Sequence, residues 1–326
     1  MLKIDHLSAS YKTIDGNVHV VNDVNFEIYD NEIFGIAGES GCGKTTLLKA
    51  LYDIIEFPLE VDSGKVILSG EKNGNAFQYE TGSIRKTWWN NISYVPQAAQ
   101  SVLNPITRLK SQFMDSIPEE DRKNETEKQT LARVAAYLEE LELSPDVLEA
   151  FPFQLSGGMR QRAIIALATF MSPNVVLADE PTTALDVVVQ RGILMMLMRL
   201  QRSLKNTMVL VSHDMGVHYQ VTNRMGIMYS GSFVELGKTE DIFSAPIHPY
   251  TQMLIGALPK VGDKGQKVGI PGRPPALTDP PPGCRFAPRC PKAVAICTQA
   301  VPEFVEVCPG RFAACHLVGE GGQLHG

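Results

Sequence analysis

The chain has 326 residues, of which 44% are hydrophobic and 20% are charged, a balance that is typical of globular proteins. This length predicts one large domain or two ordinary ones. A net charge of −6 without any basic run argues against nucleic acid or anionic lipid as a direct partner.

The N-terminal sequence MLKIDHLSASYK lacks the apolar run of a signal peptide. No stretch reaches the roughly 18 uninterrupted apolar residues that a membrane helix needs. We therefore expect a soluble protein on the cytosolic side, where disulfides are rare, and we expect any membrane role to come through a partner.

The first half of the chain contains both strand-like and helix-like patterns. Alternating segments in residues 1–30, such as LKIDHL, predict antiparallel strands. The apolar run EIFGIAG (32–38) predicts a buried strand that ends in glycine, and residues 45–55 predict a helix. Apolar residues recur at helical spacing through residues 118–143, which predicts one amphipathic helical stretch.

The second half alternates between the two patterns. We expect helices over 158–170 and 187–204, and strands over 175–178 and 208–212. Strands that alternate with helices predict crossover connections and a parallel sheet.

The composition changes near the C-terminal end. From residue 258, the sequence LPKVGDKGQKVGIPGRPPALTDPPPG is rich in Pro and Gly without a period, which predicts an extended linker. A cysteine cluster follows it. We therefore divide the chain into a main domain over residues 1–245 and a C-terminal extension over residues 246–326.

The segment GESGCGKTT (38–46) fits the phosphate-binding loop pattern G-x-x-x-x-G-K-[ST], with a strand before it and a helix after it. Its glycines allow backbone N–H groups to surround phosphate oxygens, and the helix adds its positive N-terminal end. Lys44 would place a charge on the outer phosphates, and Thr45 would offer its hydroxyl to Mg²⁺. A Gly-rich turn without a ligand is the alternative. The predicted nucleotide contacts are Gly38, Ser40, Gly41, Cys42, Gly43, Lys44, Thr45 and Thr46.

Two adjacent carboxylates follow an apolar run in NVVLADEPTTALD (174–186). Two acids at the end of a buried strand are costly unless a cation or hydrogen bonds satisfy them. We predict that Asp179 holds Mg²⁺ and that Glu180 polarises the attacking water.

With LSGGMRQR (155–162) added to these two motifs, the sequence resembles the ATP-binding subunits of ABC transporters. The resemblance implies an α/β fold: a P-loop ABC ATPase cassette with a mixed sheet, a helical subdomain and N-terminal antiparallel strands, followed here by a small Cys-rich extension. In that family the signature residues, here Ser156, Gly157 and Gly158, bind the γ-phosphate of ATP held by the opposite subunit. Two chains then close head-to-tail on two nucleotides.

The same resemblance implies further site residues. Tyr11 matches the residue that stacks on adenine, and Gln97 matches the glutamine that contacts Mg²⁺ and senses the membrane partner. Asp186 matches the loop that crosses the dimer, and His213 matches the histidine that contacts the γ-phosphate, although a lone His after a strand is usually structural. Thr183 stands where the family more often has Ser. Together these residues predict an active ATPase in which Glu180 and His213 are catalytic.

Four tail segments, APIHPYTQMLIGALP, IPGRPP, PPPGCRFAPRC and ACH, resemble the dipeptide/oligopeptide importer branch of this family. That branch implies a second related ATPase subunit, two transmembrane permease subunits, an extracellular solute-binding protein and no nucleic acid. It places the chain at the cytoplasmic face of the cell membrane as a peripheral subunit, with residues 97–113 near the permease. Oligosaccharides or nickel complexes are alternative cargoes. A regulatory ABC ATPase without transport is an alternative function.

Five cysteines occur in the tail, at positions 284, 290, 297, 308 and 315. A reducing compartment and the odd number disfavour disulfides. The spacing leaves zinc and a [4Fe–4S] cluster open, since both take four thiolates and no C-x₂-C pair is present. The family resemblance favours a [4Fe–4S] cluster on Cys284, Cys290, Cys297 and Cys315, with Cys308 outside the pattern. We expect this metal site to stabilise a small extension.

Overall fold

The computed structural model describes residues 1–97, 102–123, 125–258 and 269–318. The chain divides into two compact units. Unit 1 comprises Met1, Tyr29–Asn31 and Leu68–Val209, and unit 2 comprises Leu2–Ile28, Glu32–Ile67 and Leu210–Gly326. No helix among the described residues is both long and apolar enough to cross a membrane.

Unit 2 begins with the predicted antiparallel strands. Strands β1 (Leu2–Thr13) and β2 (Gly16–Ile28) pair antiparallel, from Leu2 opposite Ile28 to Thr13 opposite Gly16. Strand β3 (Ile33–Ala37) is buried at every residue and leads directly into the phosphate-binding loop. Helix α1 (Lys44–Leu51) follows and ends at Leu51, four residues earlier than predicted.

Unit 1 holds the centre of the chain. Strand β4 (Leu59–Lys72) runs from unit 2 into unit 1, where β5 (Asn75–Glu80) and β6 (Ile92–Val95) follow. The next helices are α2 (Leu109–Ser116), α3 (Glu119–Arg122), α4 (Glu127–Glu140) and α5 (Gly157–Thr169). Strand β7 (Val175–Asp179) and helix α6 (Val187–Leu204) follow, and strand β8 (Thr207–Val211) begins in unit 1 and ends in unit 2.

The helical stretch predicted over residues 118–143 is divided into α3 and α4. Helix α4 begins after Thr126, whose hydroxyl accepts a hydrogen bond from Gln129 N at 3.4 Å. The Gln129 side chain returns the contact by accepting from Thr126 N at 2.9 Å. This reciprocal capping box starts a new helix, which hydrophobic spacing alone does not reveal.

The rest of the chain returns to unit 2. It forms α7 (Met215–Val221), β9 (Arg224–Tyr229), β10 (Ser232–Lys238), α8 (Thr239–Ser244), α9 (Pro249–Gly256), β11 (Val305–Cys308) and β12 (Arg311–Ala313). In unit 2 the strand order is β11-β12-β10-β9-β3. Strand β9 pairs parallel with β3, whereas β10 pairs antiparallel with both β9 and β12. The predicted mixed α/β sheet is therefore confirmed.

Within unit 2, the C-terminal extension packs on the preceding strands through aromatic side chains as well as through β12. Tyr250 and Phe286 come from the extension, and Tyr229 ends β9. The Tyr229 and Tyr250 rings lie 4.6 Å apart between centroids, and both rings lie 5.3 Å from Phe286. All three side chains are almost fully buried. The extension thus has an apolar attachment of its own, beyond any metal site.

Candidate functional site

Two of the loop glycines are required by the protein's own backbone. A Cβ added to Gly38 would lie 2.1 Å from the Met228 carbonyl oxygen, and one added to Gly43 would lie 2.5 Å from that of Val20. Gly41 instead has φ 79° and nothing within 4 Å of an added Cβ. The loop is therefore tightly packed at both ends and open at its crest, where Ser40 and Gly41 are exposed.

Lys44 lies across this loop. Its side chain is buried, and Nζ donates to the carbonyl oxygens of Gly38 at 2.8 Å and Glu39 at 3.0 Å. Thr46, also buried, lies 3.3 Å from the Tyr11 hydroxyl, so the structure brings Tyr11 to the start of α1. Thr45 is half-buried beside them.

Cys42 is buried within the loop, and its Sγ lies 3.9 Å from Lys44 Nζ. Burial is the main cause that raises the pKa of this thiol, and the Lys44 charge only partly opposes it. A protonated, buried thiol suits a packing role and does not suit a nucleophile.

Sequence reasoning missed the contacts of Glu39, which occupies a variable position of the loop motif. Its backbone N–H donates to the Tyr250 hydroxyl at 3.1 Å. Its carboxylate accepts from Arg289 Nη1 at 2.8 Å and from Nη2 at 3.0 Å. The sequence signals for these contacts are the tail segments HPY and CRFAPRC, which contain Tyr250 and Arg289.

His213 follows β8 in unit 2 and is exposed. Tyr11 and residues 38–46 also lie in unit 2, whereas the following predicted nucleotide-site residues lie in unit 1: Gln97, Ser156, Gly157, Gly158, Asp179, Glu180 and Asp186. Gln97 is exposed and is the last described residue before the gap at residues 98–101.

The two carboxylates end a fully buried strand in unit 1. Asp179 has no exposed surface and accepts from the Tyr94 hydroxyl at 3.0 Å, because β6 pairs parallel with β7. Glu180 has φ 48°, in the left-handed region that non-glycine residues rarely adopt. Its Oε2 accepts from the Thr183 hydroxyl at 3.0 Å. Backbone strain of this kind is concentrated at functional sites.

The signature segment and Asp186 each begin a helix of unit 1. The Ser156 hydroxyl caps α5 by accepting from Met159 N at 3.3 Å. Asp186 Oδ1 caps α6 by accepting from the N–H groups of Val188 and Val189, both at 3.0 Å. A Cβ on Gly158 would lie 2.8 Å from a Val189 methyl, so the two helix N-termini pack closely.

The tail cysteines form a second candidate site, in unit 2. Cys284 N donates to the Cys297 carbonyl oxygen at 2.8 Å, which joins two of the predicted ligands. The pKa of Cys315 is raised to about 11, mainly by burial and in smaller part by the nearby thiols of Cys284, Cys290 and Cys297. These are the four predicted ligands.

Cys308 ends β11, opposite Arg311 on β12. All six cysteines lie in the described ranges, and none forms a disulfide. Within the described part of the chain, however, no group of three or more His, Cys, Asp or Glu residues is arranged to hold a metal ion. The predicted iron–sulfur site therefore has no support from metal-binding geometry.

Comparisons with known proteins agree with these motifs. The ABC transporter family model matches residues 21–183, and the model for the C-terminal region of oligopeptide/dipeptide transporters matches residues 234–297. The dipeptide transport ATP-binding protein DppD of Caldanaerobacter subterraneus is 36% identical over 99% of both chains. The oligopeptide transport ATP-binding protein OppD of Salmonella typhimurium is 35% identical over 97% of this chain and 93% of its own.

Among solved structures, the dimeric bacterial ABC transporter cassette MJ0796 is similar, with a TM-score of 0.61 and 25% identity over 73% of this chain and 99% of its own. A second structure of that cassette, in a post-hydrolysis state bound to ADP and phosphate, has a TM-score of 0.58 and 26% identity over the same shares of both chains. The chain therefore belongs to the ABC transporter family, among the ATP-binding subunits of its dipeptide and oligopeptide importer branch.

Proposed function

We propose that this chain hydrolyses ATP to drive an importer of di- and oligopeptides, by coupling closure of two ATPase subunits to opening of the permease. The observation that carries the proposal is the combination, in one chain, of a phosphate-binding loop with a tail that matches the peptide-transporter model. Relatives named as dipeptide and oligopeptide transport proteins align over nearly the full length, which supports the same class of cargo.

The residues around the loop fit a nucleotide. The open crest at Gly41 leaves space for phosphate, and α1 begins beside it with the positive end of its helix dipole. We assign the phosphates to residues 38–46, the adenine ring to Tyr11, and Mg²⁺ to Thr45, Gln97 and Asp179. When bound, Mg²⁺ neutralises charge on the phosphates.

Catalysis is assigned to Glu180 and His213. The Glu180 carboxylate orients the attacking water and accepts its proton, and the Thr183 hydroxyl restrains Oε2 for that purpose. His213 contacts the γ-phosphate. Residues Ser156, Gly157 and Gly158 act on the nucleotide of the opposite subunit, at the N-terminus of α5, and Asp186 lies in the loop that crosses to it.

The importer would contain a second homologous ATPase subunit, giving a heterodimer, with two transmembrane permeases and an extracellular solute-binding protein. The chain would act at the cytoplasmic face of the cell membrane. Residues 97–113 would face the permease, although residues 98–101 lie outside the described part of the chain. We keep residues 1–245 as the ATPase domain and residues 246–326 as the extension.

The cargo can be tested by reconstituting the chain with its partner ATPase and permeases in nanodiscs. A peptide-loaded solute-binding protein is expected to raise the ATPase rate severalfold over the unloaded protein, because cargo delivery is coupled to subunit closure. Sugar-loaded or nickel-loaded protein should leave the rate unchanged. Stimulation by either of those, and not by peptide, would contradict the peptide assignment.

We also propose that Cys284, Cys290, Cys297 and Cys315 hold a [4Fe–4S] cluster. The hydrogen bond from Cys284 N to the Cys297 carbonyl oxygen at 2.8 Å, which brings two of these residues together, supports this ligand set, as does the fact that thiolates are the usual ligands of such clusters.

Anaerobic purification should yield about four iron atoms and matching sulfide per chain, measured by elemental and acid-labile sulfide analysis. The Cys315→Ser variant is expected to lose most of the iron, because its sulfur is one of the four ligands. Cys308→Ser is the matched control and should keep the iron. Zinc in place of iron, or equal iron loss in Cys308→Ser, would contradict the assignment.

A further inference from the structure

Arg289, from the cysteine-rich segment, is held in one orientation by acceptors from separate parts of unit 2. Besides the two bonds to Glu39, Nη1 donates to the Tyr229 hydroxyl at 3.2 Å. Its Nε donates to the Pro271 carbonyl oxygen at 2.9 Å, and Nη2 donates to that of Ile270 at 3.3 Å. A guanidinium has five N–H donors, so these contacts employ all of them.

The pair with Glu39 is largely removed from solvent. The Arg289 side chain is 5% exposed and that of Glu39 is 25% exposed. The two parallel hydrogen bonds give the bidentate geometry in which an arginine binds a carboxylate most strongly. Such a pair is less weakened by salt and water than a pair at the surface.

Glu39 connects this pair to the nucleotide loop. Its carbonyl oxygen accepts from Lys44 Nζ at 3.0 Å, and its N–H donates to the buried Tyr250 hydroxyl. A carboxylate inside a phosphate-binding loop would repel a triphosphate unless its charge is neutralised. Arg289 neutralises that charge and holds the loop backbone on which Lys44 rests.

We propose that Arg289 is a positioning residue of the ATP site, so that the cysteine-rich extension contributes to nucleotide binding through the Arg289–Glu39 pair. This inference rests on the proposed role of the loop in binding ATP. Loss of the Arg289 side chain would expose the bound phosphates to the negative charge of Glu39. Removing that charge should therefore restore binding.

The test measures the KM for ATP and kcat of the full chain in the assembled importer. Arg289→Ala is expected to raise KM about tenfold, by unmasking one nearby negative charge, while kcat changes less than about threefold. Adding Glu39→Gln to Arg289→Ala should bring KM back to within about threefold of the original value. Arg289→Lys keeps the charge without the bidentate contact and should give an intermediate KM.

Two control variants distinguish a failure of the positioning role of Arg289 from a failure of the proposed ATP site. Arg311→Leu removes another tail arginine that pairs with a glutamate of unit 2, and it should leave KM unchanged at temperatures where it is folded. Lys44→Ala tests the underlying assignment and should abolish ATP binding. An unchanged KM in Arg289→Ala and Arg289→Lys, or no recovery with Glu39→Gln, overturns the positioning role alone. Retained ATP affinity in Lys44→Ala overturns the proposed ATP site itself.

Discussion

Replacing Glu180 with Gln is expected to lower ATP hydrolysis by about 10²- to 10⁴-fold while ATP affinity stays within about threefold. The amide keeps the shape of the side chain and can still accept the Thr183 hydroxyl hydrogen bond seen at 3.0 Å. It cannot accept the proton of the attacking water. The change should therefore appear in kcat, measured by phosphate release, with binding measured separately by nucleotide titration.

Glu149→Gln is a matched control for this experiment. Glu149 belongs to the same unit but lies on its surface, where it pairs with Lys110 at 2.8 Å. Neutralising this exposed carboxylate should leave both hydrolysis and affinity unchanged, since its side chain is 60% exposed and water screens its charge. Undiminished hydrolysis in Glu180→Gln would remove Glu180 from the catalytic role.

Replacing Arg311 with Leu is expected to lower the free energy of unfolding by about 3–5 kcal/mol, because it leaves a buried carboxylate without its charged partner. That carboxylate, Glu235, has no exposed surface. It accepts from Arg311 Nη2 at 2.9 Å, and from the backbone N–H groups of Ile247 and His248 at 2.9 and 2.8 Å. Denaturant titration of the full chain, followed by circular dichroism, measures the loss.

Lys12→Met provides the comparison for a solvated pair in the same unit. Lys12 and Glu60 form an ion pair whose side chains are 46% and 44% exposed. Water and salt screen such a pair, so its loss should cost at most about 1 kcal/mol. Equal losses in Lys12→Met and Arg311→Leu would show that burial adds nothing to the Glu235 contact.

Much of the fold was predictable where the signal is local. The helix expected over residues 187–204 is observed as Val187–Leu204, and the strand before the two carboxylates extends one residue beyond the prediction, to Asp179. Hydrophobic period and length identify such elements, because one face or the whole run must be buried. The break between α3 and α4 was missed, because a capping box competes with the hydrophobic period there.

The glycines of the phosphate loop show where prediction of the site was incomplete. The motif pattern located Gly38 and Gly43 and attributed them to phosphate contact. The structure adds that each glycine faces a backbone carbonyl of another strand. Gly38 faces that of Met228 in β9, and Gly43 faces that of Val20 in β2. Those neighbours are distant in the chain, so no local pattern could reveal that requirement.

The sequence by itself determined the family, the loop motif and the catalytic candidates. Each of these was identified from short motifs, whose residues are a few positions apart on one strand, loop or helix. Only the tertiary structure revealed that Glu39 pairs with Arg289, 250 positions later. The partners of a buried charge are set by how distant segments pack, and that packing leaves no period or spacing in the chain. The cysteine-rich tail is thereby connected to the nucleotide loop through an arginine that lies between the cysteines.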